Sequence, residues 1–399
     1  MDSVEYLLSG SGGVKARPGN AAVQPGAMLL TPAILTEWRL RSDIVLSPEK
    51  ITDGNVMTFE LGAYSFGAAG KNPEGETVST AQAVRNLLEQ IKVAEQAGLD
   101  FYGVGEHHTA TMPVSSPAAV INAAAAVTTA ITLSTAVSVL STDDPIRLYQ
   151  QMATASIVSG GRVEIIAGRG SSTDSFPLFG YDLDDYDGLY ADKLGLLLAV
   201  NDSPQVSWES PFRPPLKDAL VVPRPDKPIR IWLGTGGNPE STIRAAQAGL
   251  PVSYGILSGT PRHWGQMGDL YRQAARQAGA DESRLAISVA GHGFIGRDGR
   301  AAKDLFFRHE QAAYAAFGRF GARSWQDAAP NYSPGGMVFA GDPQEIADRI
   351  IDLHRHLGHT RHFLQMDIGG MPHDEVLRSI ELLGTEVAPR VRAELNSTT

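Results

Sequence analysis

The sequence predicts an α/β protein folded as a (β/α)8 barrel of the TIM type, and three observations carry the prediction. From residue 57 onward strand-like and helix-like stretches alternate, the strand-like stretches number eight, and the polar and glycine-rich segments follow the strands. Alternation of this kind implies a parallel sheet, and a count of eight favours closure over an open Rossmann sheet. In a closed parallel barrel the carboxyl ends of the strands form the rim at which side chains meet a ligand.

Taken in order, residues 58–66 are apolar and β-prone and make the first strand. Ser79 opens a helix with Leu87, Leu88, Ile91 and Ala94 at helical spacing, and Gly98 closes it. Residues 101–105 are the second strand, Pro117 starts an alanine-rich helix to Thr129, and the β-branched run 131–140 is the third strand. Pro145, at a first helical position, begins a helix ending near Gly160-Gly161, and 163–167 is the fourth strand. A helix over 188–200 precedes a proline-rich stretch, 202–227, that reads as an irregular surface connection. Strands are predicted at 229–233, 252–256 and 285–295, with helices at 239–248, 261–278 and 301–317 between and after them. Residues 318–341 lack periodicity and are expected to form a long mobile loop inserted before the eighth strand. A helix from Asp342-Pro343 to Leu357, a strand at 362–368 and a helix at 373–387 complete the pattern.

Residues 1–55 differ, with Gly-Ser-Gly-Gly, scattered prolines and no sustained period, and are expected to be a poorly structured extension. Met57 is the expected structural start, 56–392 the barrel and 393–399 a tail. A chain of 399 residues with 43% hydrophobic content can bury a large single core. The net charge of −10 is spread along the chain, which argues against general affinity for nucleic acid or anionic membrane and leaves any anionic ligand to a local site. There is no cysteine, so disulfides, thiolate metal sites and a cysteine nucleophile are excluded. No apolar run is long enough to span a bilayer, and residues 27–35 contain Pro32 and lack a basic segment before them. A cytoplasmic protein is the expectation.

Three stretches can carry chemistry. Arg169-Gly170-Ser171-Ser172 follows the fourth strand, where glycine lets backbone N–H groups approach an anion, the guanidinium supplies charge and the hydroxyls supply donors. The plainer reading is a tight turn with an arginine ion pair. Gly234-Thr235-Gly236-Gly237 precedes a helix at Asn238-Pro239, and a helix N-terminus attracts phosphate. Neither loop is a Walker motif, and no Gly-x-Gly-x-x-Gly opens the first crossover. Glu106-His107-His108 follows the second strand, and on an extended chain adjacent histidines point apart, so one of them faces the mouth. A metal site, a hydrogen-bonding or acid–base histidine, and a loop-capping histidine are the readings open for it. The other histidines show no zinc-type spacing, and no metal is expected.

From about Met57 to Arg392 the chain resembles the luciferase-like flavin-dependent monooxygenases, the family that includes bacterial luciferase, in an uncharacterised bacterial branch. The resemblance rests on Glu106-His107-His108, residues 135–140, Asp144-Pro145-Ile146-Arg147, Gly161-Arg162 leading to Gly168-Arg169-Gly170, Phe179-Gly180, the Gly-Gly-Asn-Pro-Glu-Ser turn, and Ala340-Gly341-Asp342-Pro343. It implies a (β/α)8 barrel that binds reduced flavin mononucleotide (FMN), or in some branches the deazaflavin F420, at the carboxyl mouth. By position, Arg169 with Gly170, Ser171 and Ser172 grips the 5′-phosphate, and Gly236 and Gly237 complete that site. Ala136 and Val137 match a non-prolyl cis peptide bulge set against the flavin ring, and His107 matches the active-site histidine. The chain departs from bacterial luciferase in having Gly168 where a reactive cysteine precedes the arginine. The stretch 318–341 falls where the family has a mobile lid.

The function so implied is oxygenation of a small organic substrate with reduced FMN and O2, the reduced flavin coming from a separate NAD(P)H:flavin reductase. The alternatives are an F420-dependent hydride transfer, a non-catalytic flavin-binding protein and, more distantly, a metal-dependent hydrolase. Phe59, Tyr64, Tyr181, Tyr186, Tyr254 and Met366 are candidate pocket residues, and the small side chains of the 118–126 helix permit close approach in a homodimer.

Overall fold

The structure is a computed structural model that describes residues 59–170, 172–317 and 323–396. The expectations for residues 1–55, for Met57 and for Ser171 lie outside the described residues.

Eight parallel strands close into the barrel: β1 (Glu60–Ser65), β4 (Phe101–Val104), β5 (Thr132–Val139), β6 (Val163–Gly168), β9 (Arg230–Thr235), β10 (Val252–Ile256), β11 (Ile287–Ile295) and β13 (Arg361–Gln365). They neighbour one another in that order, and β10–β11 and β13–β1 pairings complete the ring; between β1 and β4, β2 (Gly70–Lys71) and β3 (Thr77–Val78) pair as a short antiparallel ribbon. Helices follow the strands as the sequence demands: α1 (Thr80–Gln96), α2 (Pro117–Ala125), α3 (Pro145–Ser159), the short α4 (Ser175–Phe179), α5 (Tyr186–Asp202), α6 (Pro239–Gln247) and α7 (Pro261–Ala278). The starts of α1, α3, α6 and α7 are fixed by side chains that accept otherwise unpaired N–H groups, as Ser79 does from Gln82 and Asp144 from Ile146 and Arg147.

Two expected loops are ordered elements. The stretch 202–227 holds an antiparallel hairpin, β7 (Gln205–Ser210) and β8 (Arg213–Leu220). Its prolines hid it, yet an isolated hairpin tolerates proline because its outer edge needs no donor. Asp192 on α5 ties it down, accepting from Trp208 Nε1 at 3.2 Å and Ser210 Oγ at 2.7 Å. In the second, Ser324 caps α9 (Trp325–Tyr332), and β12 (Val338–Gly341) pairs in parallel with the upper half of β11. Pro330 inside α9 and Gly335-Gly336 beyond it break the pattern on which a sequence reading depends. The expected mobile loop is thus corrected to a helix and a strand, with residues 318–322 outside the described residues. The insertion before the eighth strand stands, and α8 (Gly299–Phe317) belongs to it. After α10 (Pro343–Leu357) and β13, the chain closes with α11 (His373–Leu382), a π-helical turn and α12 (Ala388–Asn396). Helix therefore runs into the predicted tail.

The barrel interior is layered. At its amino end Arg361 is 1% exposed, and its Nη1 and Nη2 donate to Glu164 at 2.6 and 3.2 Å. Glu60 takes a third bond, Trp232 Nε1 also donates to Glu164, and the guanidinium lies over the rings of Phe101 and Trp232. Above this plug sit Tyr64, Phe101, Ala136, Ile166, Trp232 and Phe363. The candidate site lies above them, at the carboxyl ends of the strands.

Candidate active site

The Ala136–Val137 peptide is cis, and the pairing of β5 with β6 slips by one residue between Ala136 and Ser138. The pair therefore bulges toward its neighbours. A Cβ on Gly103 would stand 2.6 Å from Ala136 Cβ, and one on Gly168 or Gly234 would stand 2.5 or 2.8 Å from a Val137 methyl. Three strands thus need glycine at the level of the bulge. Val137 is accordingly the physical reason that glycine precedes Arg169: its side chain fills the space that a Cβ at position 168 would occupy. On the next strand, Gly255 has only Thr235 O, at 3.9 Å, near its missing Cβ. From β4 to β9 the spaces over Gly103, Gly168 and Gly234 are taken by Ala136 and Val137, which therefore form the surface of this wall at the bulge.

The two glycine loops meet at one arginine. Arg169 Nη2 reaches across to Ser241 Oγ, in the first turn of α6, at 3.3 Å, and its Nη1 donates to Asp187 at 2.7 Å. Tyr186 lies under the guanidinium and donates its hydroxyl to Gly170 O at 2.7 Å. Gly170 and Gly237 have φ of +86° and +91°, and nothing lies within 4 Å of a Cβ on Gly236, so backbone there is open to approach. Asp187 is exposed and so can yield the guanidinium to an anion. Ser172 donates to Asp174 instead of facing the cradle, and Asn238 caps α6 by accepting from Glu240 and Ser241 N. Among the described residues of the two loops, the donors left for an anion are Arg169 and the Gly236-Gly237 backbone.

The second-strand motif separates into two roles. Glu106 Oε2 accepts from Val139 N at 2.8 Å, just past the bulge, and Oε1 holds His108 Nε2 at 3.0 Å. His108 also sets its edge against Phe179. His107 takes the other direction: its ring packs 4.8 Å from Phe66. Phe66 also lines a cavity with Met112, Gln365, Ala312 and Ala316, beneath α8. Behind His108 lie Asp143, pushed up to about 6 by burial with Glu106 adding to it, and Lys193, pulled down to about 8 by burial. Lys193 donates to Ser141 O at 2.8 Å and lies over the Tyr181 ring.

An unbroken arc follows. His108, Glu106, Val139, Gly170, Arg169 and Ser241 touch in sequence from β4 to α6, since a Cβ on Gly170 would sit 2.7 Å from Val139. Sequence reasoning named most of these residues and missed Ser241 and Asp187. For Tyr186, Tyr190 and Lys193, the signal was present as a helical face at i, i+4, i+7 on α5, whose three side chains all bond carbonyls at the ends of β5 and β6. Of the aromatic candidates, Tyr64 lies inside the barrel and Tyr181 and Tyr186 at the rim. Phe59 instead packs on His354 and His359, and Tyr254 on Trp264 and Thr242, so both serve the core. Met366 joins the main core as well.

A family model described as luciferase-like monooxygenase matches residues 65–360. The chain belongs to that family. Among solved structures, a monooxygenase from Streptomyces bottropensis aligns with a TM-score of 0.72 at 23% identity, over 83% of this chain and 99% of that one. The oxygenating constituent of 3,6-diketocamphane monooxygenase from Pseudomonas putida, in complex with FMN, aligns at 0.68 and 17%, over 84% and 99%. The coenzyme F420-dependent tetrahydromethanopterin reductase of Methanopyrus kandleri aligns at 0.63 and 19%, over 84% and 99%. These likenesses establish that the luciferase-like barrel is shared. Among the described residues of this luciferase-like chain, no helix is long and apolar enough to cross a membrane.

Proposed function

We propose that this protein is a flavin-dependent monooxygenase that takes reduced FMN and O2 as cosubstrates and oxygenates a small organic molecule. The observation that carries the proposal is the arc from His108 to Ser241, which puts a phosphate-type cradle at one end of a glycine-lined wall and a histidine pair at the other. The residues suit the group: one guanidinium with an exposed counterion, open backbone at Gly236, and a wall on which only the small side chains of the Ala136–Val137 bulge cover the glycines of the neighbouring strands. Bound there, reduced FMN supplies the electrons that activate oxygen.

The chain's own residues do the rest. Arg169 anchors the phosphate, and Gly236 and Gly237 offer backbone donors beside it. The Ala136–Val137 bulge supports the ring system against β5. Glu106 fixes both His108 and the backbone after the bulge, so it is a positioning residue. His107, against Phe66 at the cavity, holds or moves a proton beside the substrate. Reduced flavin is supplied by a separate NAD(P)H:flavin reductase. Anaerobic calorimetric titration with reduced FMN, oxidised FMN and F420 tests this reading. Binding of reduced FMN that falls at least about tenfold in Arg169→Ala supports it, a loss of about 1.4 kcal/mol. Binding of F420 alone overturns it in favour of hydride transfer, the second reading, which the likeness to an F420-dependent reductase favours.

A further inference from the structure

Beside the cradle a second cation stands without an anionic partner among the described residues. Arg244 lies three residues beyond Ser241 on α6 and so shares its face, one turn further along. Its guanidinium makes no hydrogen bond or ion pair among the described residues, and its Nη1 is shut from solvent. Glu240, four residues earlier, is placed where a helix commonly pairs a glutamate with an arginine, yet no ion pair joins the two. The guanidinium is instead turned to α5, its carbon 6.0 Å from the centre of the Tyr190 ring.

Tyr190 ties this cation to the site. The ring is buried, and its hydroxyl donates to Ala167 O, near the end of β6, at 3.1 Å. One turn earlier on the same face of α5, Tyr186 lies under Arg169, 5.3 Å from the guanidinium carbon. Two successive rings on α5 thus carry two guanidiniums, and Ser241, bonded to Arg169, links them through α6. Burial raises the Tyr190 hydroxyl, and the charges of Arg244 and then Arg169 act against it, so both cations bear on one buried point. Arg169 has an exposed counterion in Asp187, and Arg244 has none. A charged donor shut from water without an acceptor is costly, and that cost is removed when an anion arrives.

We propose that Arg244 is a second ligand of the cofactor phosphate, and that with Arg169 it selects the dianion of a terminal phosphomonoester over the monoanion of a phosphodiester. A phosphomonoester loses its second proton at about pH 6, so at neutral pH it carries close to two charges on three oxygens free of any ester carbon. A phosphodiester carries one charge, offers two such oxygens and sends a chain onward from the phosphorus. Two guanidiniums, each a rigid fork of donors, match the first in both charge and number of acceptors. FMN ends in a monoester, whereas F420 continues through a diester. The proposal therefore deepens the monooxygenase reading and rests on it for the flavin.

The test titrates the full chain anaerobically with three reduced flavins: FMN, riboflavin 4′,5′-cyclic phosphate, whose phosphate is a diester, and riboflavin, which has none. Wild type should bind them in that order of affinity. Arg244→Gln should weaken FMN about tenfold, the order of one charge-assisted hydrogen bond, and leave riboflavin unchanged, so that the gap between FMN and the cyclic ester narrows. Arg244→Lys, which keeps the charge without the planar fork, should recover part of the loss. An unchanged FMN affinity in Arg244→Gln, or an equal loss for riboflavin, overturns the proposal. Should Arg244→Gln not fold, Arg244→Met is read by the same criteria. If wild type binds none of the flavins, the monooxygenase reading falls and inorganic phosphate decides the anion site. A phosphate-induced rise in the thermal transition that Arg244→Gln abolishes keeps the site, and an equal rise in both, or none, removes it.

Discussion

At the residue scale, Asp187 and Gly168 make the sharpest predictions. Asp187 is exposed and holds Arg169 Nη1 at 2.7 Å, where it competes with any phosphate for the guanidinium. Asp187→Asn should therefore tighten reduced-FMN binding several-fold in calorimetry, the opposite of Arg169→Ala, and a loss of binding would show that Asp187 orients the arginine instead. Gly168 faces Val137 at 2.5 Å from a built Cβ. Gly168→Cys should cost about 1–3 kcal/mol by overpacking, measured by denaturant unfolding, and Val137→Ala should recover most of it. Additive losses in that double-mutant cycle would sink the steric account. Glycine at 168 was visible in the sequence, but its cause lies on another strand, 31 residues earlier, which no local pattern encodes.

Elements place these residues, and α5 places the most. It presents Tyr186, Tyr190 and Lys193 to the strand ends and holds the β7–β8 hairpin through Asp192. Asp192→Ala should free the hairpin without opening the barrel. The expected signs are a red-shifted, more quenchable Trp208 fluorescence and faster amide exchange over 205–220, with barrel amides unchanged. Exchange that quickens throughout the barrel would mean that the hairpin is part of one cooperative unit. Helices and barrel strands were legible because their periods and caps repeat: Ser79, Asp144, Asn238 and Asp342 each precede an observed first turn. The hairpin and α9 were not, because prolines and paired glycines there mimic the composition of a loop.

The whole molecule closes around buried charge and buried neutral imidazoles, and both oppose acid. His359 and His362 are fully buried, and burial pulls both down, His362 to about 3, with His354 and Arg349 nearby adding to the effect. Each is neutral when folded and takes up a proton on unfolding below its ordinary value near 6.5. Stability should fall as pH drops from about 6.5 toward 3, by up to ~1.4 kcal/mol per pH unit for one such group. His362→Met should flatten that slope in urea unfolding at successive pH values, and an unchanged slope would assign it elsewhere. Glu164, held below the usual range by Arg361 against its burial, adds a further loss only as pH falls below about 4.5. Removing its charge in Glu164→Gln leaves Arg361 buried and half-paired, at an expected ~3–5 kcal/mol. At the surface Val127, Ile157 and Val158 are half exposed at the ends of the packed helices α2 and α3. We propose that this face pairs two copies of the chain; light scattering should give a dimer that Val158→Glu weakens. We also propose that a chain beginning at Met57 keeps the barrel's thermal transition.

The sequence alone determined the barrel, its rim, the glycine loops and the histidine motif, because strand and helix periods, capping residues and turn glycines are local consequences of backbone sterics and hydrogen bonding. Only tertiary structure decided that Arg169 meets Ser241, that Glu106 braces the backbone beyond Ala136–Val137, and that His292 and Glu310 come together under α8. Those contacts join residues 18 to 72 positions apart. Such pairs form only when strands carried apart by intervening helices are brought side by side, and a spacing of that kind leaves no period in the chain.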